Sequence, residues 1–199
     1  MSETLYAEDY LNYQTNRSWL RKTIRKIYLW QVRRHVIGNA IDFGCGVGEH
    51  LTTFSKNSLG LEINEATVKY CQHNGLNVQL YRPDEDNYEL KNIPAGKYQT
   101  LVISHVLEHL LNPDEMLKKL AGSCQRIGVK RIFITVPCEV GFAHDKTHVT
   151  FINKKFIKEN GLENFAGYKK MKWGYFPFNF QFVGKLFVYN EFYVVYDLA

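Results

Sequence analysis

The segment Asp42-Phe43-Gly44-Cys45-Gly46-Val47-Gly48 joins a carboxylate to three glycines at alternate positions. Glycine has no Cβ, so a chain of this kind turns tightly and lets a ligand approach its backbone. A dinucleotide loop would carry its third glycine at position 49, which is Glu49. A pyrophosphate also favours bare N–H groups and a positive helix end over a carboxylate just before the first glycine. Asp42 suits a cationic ligand instead, and a tight turn with a solvated aspartate is the alternative. Glu62 follows about 20 residues on, the distance at which an acid accepts hydrogen bonds from ribose hydroxyls. That distance serves NAD and S-adenosylmethionine (SAM) alike, but only SAM brings an α-ammonium and a sulfonium.

Two further segments hold groups that move protons or bind metals. Ser104-His105-Val106-Leu107-Glu108-His109-Leu110 follows an apolar run, and the Glu108-His109 pair in it also reads as a simple strand-to-helix joint. The stretch Pro137 to His148 is long enough for a functional loop and gathers His144, Asp145 and His148. A histidine near its ordinary pKa is a base at neutral pH, and His148 is the stronger candidate. His148 could equally cap the next helix.

The elements that must position these groups alternate. Buried strands are expected at Ala40–Phe43, Leu59–Ile63, Leu76–Tyr81, Tyr98–Ser104 and Lys130–Val136. Helices are expected at Val47–Lys56, from Asn64 to about Asn74, from Asn112 to about Cys124, and from Asn153 to Gly161. Such alternation argues a parallel sheet with helices on both faces. Asn16 to His35 carries seven Arg or Lys and no acid at helical spacing, and Tyr6 to Tyr13 suits a shorter helix before it. Tyr168 to Ala199 is aromatic and lacks a helical period, with one strand or hairpin arm over Lys185–Tyr196.

Together the glycine loop, the acid ending the second strand and the VLEH segment after the fourth resemble class I SAM-dependent methyltransferases. The resemblance is to the broad group that includes ubiquinone-biosynthesis O-methyltransferases, over roughly residues 39–161. It implies a Rossmann-like α/β fold: a mostly parallel seven-stranded sheet, an antiparallel C-terminal strand and an N-terminal helical lid. The chain then reads as one domain over 1–199, with a lid at 1–38, a cofactor-binding core at 39–161 and antiparallel strands at 162–199. The resemblance places Asp42, Gly44, Cys45, Gly46 and Gly48 along the methionine part of SAM, Glu62 on the ribose and Ile63 beside the adenine. It places Asp84 near the adenine amine, with Asp86 in competition, and Ser104 and His105 near the transferred methyl. The chain departs from the pattern at Gln99, where an Asp is frequent, and in Arg82-Pro83-Asp84-Glu85-Asp86.

The expected reaction is O-methylation of a small-molecule or glycan-type hydroxyl, leaving S-adenosylhomocysteine, with His105 or His148 as a base and no metal. The alternatives are an RNA 2′-O-methyltransferase, whose small-RNA relatives use a Glu-His pair and a later histidine with a metal, and a non-catalytic SAM-fold binding protein. A net charge of +5 over 199 residues permits an acidic, phosphorylated or lipid-linked acceptor and does not require nucleic acid. Four cysteines without a CxxC pair, and a polar start, suggest a reduced, cytoplasmic protein. No apolar run spans a bilayer, although the basic helix and the aromatics from Trp173 to Phe180 allow peripheral membrane contact. The same helix suits a solvated face, and the same aromatics suit core or a pocket wall.

Overall fold

The computed structural model describes residues 19–199, with side chains from Arg25 onward. The helix expected over Tyr6–Tyr13 and the first residues of the basic helix lie outside the described residues.

Five strands form a parallel ladder: β1 (Ala40–Phe43), β2 (Leu59–Glu62), β3 (Val78–Leu80), β4 (Thr100–Ser104) and β5 (Arg131–Pro137). Their order is β3-β2-β1-β4-β5. β1 and β2 are buried at every residue, as strands covered on both faces must be. The order reverses between β1 and β4, which opens a crevice beyond their C-terminal ends. The sheet continues with β6 (Asn164–Phe165), β7 (Tyr168–Phe176) and β8 (Glu191–Leu198). β8 runs antiparallel to β5, β7 to β8, and β6 to β7. The two-residue β6 brings the sheet to eight strands, one more than expected.

Helices cover both faces: α1 (Trp19–Arg33), α2 (Glu65–His73), the single turn α3 (Pro83–Asp86), α4 (Pro113–Arg126), α5 (Glu139–His144) and α6 (Lys154–Glu159). Asn64 and Asn153 cap α2 and α6, their side chains accepting the N–H of Thr67 and Phe156. On one face Leu117, Leu120 and Cys124 of α4 meet Ile41, Leu101 and Ile132. On the other, Val32 and Val36 pack with Val68 and Cys71 of α2 against Val102 and Phe133. His35 stacks on Phe133 and Tyr193 at 5.1 and 5.6 Å. The second half of α1 and the residues after it are therefore a layer of the core, and lifting them would expose Phe133.

Three expectations are corrected. Val47–Lys56 is a run of turns, not a helix. Gly48 has a positive φ, and the Thr52 and Thr53 hydroxyls donate back to the carbonyls of Glu49 and His50, competing with helical bonding. The loop after β5 contains α5. Lys185–Tyr196 is not one strand: the chain turns through Gln181–Lys185 and enters β8 only at Glu191. Buried Asn190 fixes that turn, its side chain accepting Phe178 N–H and its carbonyl accepting Cys138 N–H.

Candidate functional site

The glycine loop lies over the C-terminal ends of β1 and β2. Gly44 and Cys45 donate their N–H groups to Leu61 O at 2.8 and 3.1 Å. Gly44, Gly46 and Gly48 have φ of +71°, +53° and +75°, which L side chains rarely adopt. A Cβ at Gly44 would stand 2.5 Å from Val106 Cγ2, and one at Gly48 2.5 Å from Leu76 Cδ1. Glu62 is buried and accepts Gly46 N–H and Asn64 N–H, each at 2.9 Å. A carboxylate has about four acceptor positions, so Glu62 holds the loop and retains capacity for a ligand.

Asp42 is 1 % exposed, and neither carboxylate oxygen has a hydrogen-bond partner among the described residues. Burial raises its pKa to about 7, against the nearby Arg25 charge, with Glu62 adding to the rise. The Tyr28 hydroxyl and both His50 ring nitrogens are likewise buried without partners. Burial drives His50 well below the usual histidine range and Tyr28 upward, and the Arg25 charge acts on both. Arg25 itself bonds Glu49 at 2.9 Å. Each orphaned polar group costs about 1–3 kcal/mol, and such groups gathered beside a glycine loop indicate a ligand site. The sequence reading missed Arg25, Tyr28 and His50. Its only signal for them was the cation content of α1 and the closeness of His50 to Gly48.

Ile63, the residue expected beside the adenine, is 67 % exposed, an apolar surface beside the loop. Asp86 accepts Tyr81 O–H, Leu90 N–H and Lys91 N–H, so it anchors the turn after α3. Asp84 remains exposed on α3. Gln99 is likewise structural, accepting Asn39 N–H and donating to Gly96 O. Cys45 is buried within the loop, and Ser104 ends β4 half-buried.

A second polar cluster follows β4. His105, with φ +55°, donates Nδ1–H to Glu108 at 3.1 Å and Nε2–H to Glu191 at 2.8 Å. Burial opposes its charge, but the Glu191 charge and the bonds to both carboxylates prevail and raise its pKa to about 10. His105 is thus an imidazolium at neutral pH, the wrong form for a base. Glu191 comes from β8 and also accepts the Thr135 hydroxyl; nothing in the sequence tied it to a site 86 residues earlier.

Glu108 is fully buried, and its Oε2 has no partner among the described residues. His148 donates Nδ1–H to Phe142 O at 2.9 Å, which turns its Nε2 toward Glu108 Oε1 and Asp145 Oδ2, each at 3.9 Å. The Thr147 hydroxyl donates to Asp145, so His109 Nδ1 is the donor toward Thr147. Glu108, His109 and His148 each offer a ligand atom within 4.8 Å of the others. His144 ends α5, outside this group.

The family model of methionine biosynthesis protein MetW matches residues 30–163. No curated protein sequence matches the chain significantly. Among solved structures, a SAM-dependent methyltransferase from Archaeoglobus fulgidus superposes with a TM-score of 0.65 at 20 % identity, covering 99 % of this chain and 100 % of its own. Magnesium protoporphyrin IX methyltransferase from Synechocystis PCC 6803, with bound S-adenosylhomocysteine, gives 0.60 at 14 % identity over 89 % and 83 %. The methyltransferase domain of bacterial CtHen1-C gives 0.61 at 14 % over 88 % and 99 %. The fold is the Rossmann-like methyltransferase fold, and the chain belongs to the MetW family.

Proposed function

We propose that the chain is a SAM-dependent methyltransferase that methylates a hydroxyl on a small-molecule or glycan-type acceptor. The observation that carries this reading is the buried, unpartnered Asp42 carboxylate at the GxGxG loop. Asp42 takes the α-ammonium of SAM, and Gly44, Cys45, Gly46 and Gly48 line its methionine part. Glu62 accepts the ribose hydroxyls, Ile63 covers the adenine and Asp84 accepts from its amine. Ser104 and His105 border the methyl. SAM, when bound there, would supply a methyl on a sulfonium leaving group, and holding the acceptor hydroxyl in line with it would supply much of the rate. The acceptor proton goes to His148 Nε2, and His105 acts as a fixed charge that orients Glu108. Calorimetry tests the cofactor: SAM and S-adenosylhomocysteine should bind, and binding of NAD alone would end this reading.

The Asp42 carboxylate makes that affinity depend on pH. An ammonium ligand favours ionised Asp42, whose pKa in the free protein is about 7. SAM affinity is therefore expected to peak just above that pKa, to fall up to about tenfold per pH unit below it, and to fall again as the ligand's own α-amino group deprotonates, with protons released on binding near pH 6.5. Titrations in two buffers of different ionisation enthalpy measure the release. Flat affinity from pH 5.5 to 8 would take Asp42 out of the ammonium site.

One observation favours a second reading, in which a divalent ion activates the hydroxyl, as would suit an RNA 2′-O-methyltransferase. Glu108 Oε2 is buried without a partner among the described residues, and Nε2 of His109 and His148 is left free of the bonds that orient each ring. Two imidazoles and one carboxylate suit zinc or iron better than magnesium. On the metal-free reading, chelator leaves turnover unchanged, while His148→Ala lowers turnover about 10²–10⁴-fold with SAM affinity intact. Turnover lost to chelator and restored by a divalent ion would reverse the choice.

A further inference from the structure

We propose that the outward face of α1 and the aromatic segment after β7 form one surface that docks on an anionic lipid bilayer. The inference concerns a face that the methyl-transfer reading leaves unused, and its test requires no turnover.

Where side chains are described, α1 and the residues after it turn Tyr28, Gln31, Val32 and His35 inward. Lys26, Ile27, Trp30, Arg33, Arg34 and Ile37 face outward. That outer face is half apolar and half cationic, with no acid. Trp30 is 57 % exposed, and the Arg34 guanidinium lies over its ring at 4.8 Å. Solvated helix faces carry charges of both signs and seldom a bare indole. Helices lying in a membrane interface combine Trp or Ile with Lys or Arg in this way, the rings at headgroup depth and the cations reaching phosphates.

The segment after β7 extends the same chemistry. Tyr28 of α1 packs edge-on against Phe176 at 5.5 Å, and Phe178 follows two residues later. Phe178, Phe180, Phe182 and Leu186 are 51–80 % exposed. The sequence from Asn164 to Asn190 has no Asp or Glu but contains Lys169, Lys170, Lys172 and Lys185. Soluble proteins seldom leave this many large apolar side chains open without a partner.

Charge selects the occupant. A twofold dimer through this face would set a basic patch against its own copy, and Glu139, beside Lys185, is outnumbered there by Lys26, Arg33, Arg34 and Lys185. An anionic bilayer supplies both the apolar layer for the rings and the counter-charge for the cations. Each Lys or Arg near such a surface strengthens binding roughly fivefold. Because the α1 helix also presents Arg25 and Tyr28 inward to the cofactor crevice, docking would place that crevice close to the membrane, within reach of a lipid-linked hydroxyl.

The test is co-sedimentation of the full chain with phosphatidylcholine vesicles, with and without about one-third phosphatidylglycerol. At low salt, partition should be at least tenfold stronger with the anionic lipid and should weaken as salt rises. Trp30→Ser with Ile27→Ser, and separately Phe180→Ser with Phe182→Ser, should each lower partition about tenfold while SAM affinity is retained. Arg33→Glu with Arg34→Glu should abolish the preference for anionic lipid. The proposal is overturned by failure to partition at low salt, by equal partition into both vesicles, or by partition unchanged in both apolar pairs. It is also overturned if the chain dimerises without binding vesicles and the same variants dissociate the dimer.

Discussion

Glu62→Ala is expected to weaken SAM binding more than a hundredfold. Two charge-assisted hydrogen bonds to the ribose are worth about 1.5–3 kcal/mol each, and about 1.4 kcal/mol is tenfold in affinity. The structure adds a second loss. Gly46 N–H and Asn64 N–H both end on this carboxylate at 2.9 Å, so its removal orphans two donors and loosens the loop, which the bonds of Gly44 and Cys45 N–H to Leu61 O still tie to β2. Glu62→Gln keeps one acceptor but turns an amide nitrogen toward one of those N–H groups, and its effect should fall between wild type and Ala. The measurement is calorimetry with SAM and S-adenosylhomocysteine on folded variants. Unchanged affinity for Glu62→Ala would leave Glu62 a loop anchor alone.

The glycine loop and the acids beside it were legible in the sequence because local chemistry dictates them. Three glycines at alternate positions, an acid before them and an acid at the next strand end need no knowledge of the fold. Asn64 and Asn153 were legible as caps for the same reason. What failed was decided by hydrogen bonding and burial that residue spacing does not show. Val47–Lys56 has acceptable helical spacing, but its Thr hydroxyls and the positive φ of Gly48 favour turns. Asp84 and Asp86 look alike in sequence until three donors are seen to converge on Asp86. Tyr28 and His50 are unremarkable one at a time; only burial without partners among the described residues, within reach of the same Arg25 charge as Asp42, marks them. The state of His105 was the least accessible, since Glu191 reaches it from the far end of the chain.

Glu108→Ala carries the largest expected effect on stability, and its size follows from the charge that Glu108 helps to hold. Glu108 is fully buried and bonds the His105 imidazolium at 3.1 Å. Breaking a buried pair costs about 3–5 kcal/mol, since the partner's charge remains. For a domain of this size that is a fall in Tm of about 6–20 °C. Part of the His105 side chain reaches solvent and Glu191 remains bonded to it, which favours the lower half of that range. The pH dependence has a definite sign. The folded pKa of His105, about 10, lies above its ordinary value of 6.5, so folding binds a proton. The stability this confers is complete below about pH 6.5 and is lost as pH rises toward 10. Wild type should therefore lose stability across that window, and Glu108→Ala should lose less, since its His105 has one carboxylate fewer. Glu108→Gln, whose amide oxygen can still accept from His105 Nδ1–H, should lie between them at pH 7. Thermal melts from pH 6 to 10 on all three proteins measure this. Parallel profiles for wild type and Glu108→Ala would mean that Glu191 alone keeps His105 charged, with Glu108 buried for its neighbours His109 and His148 instead.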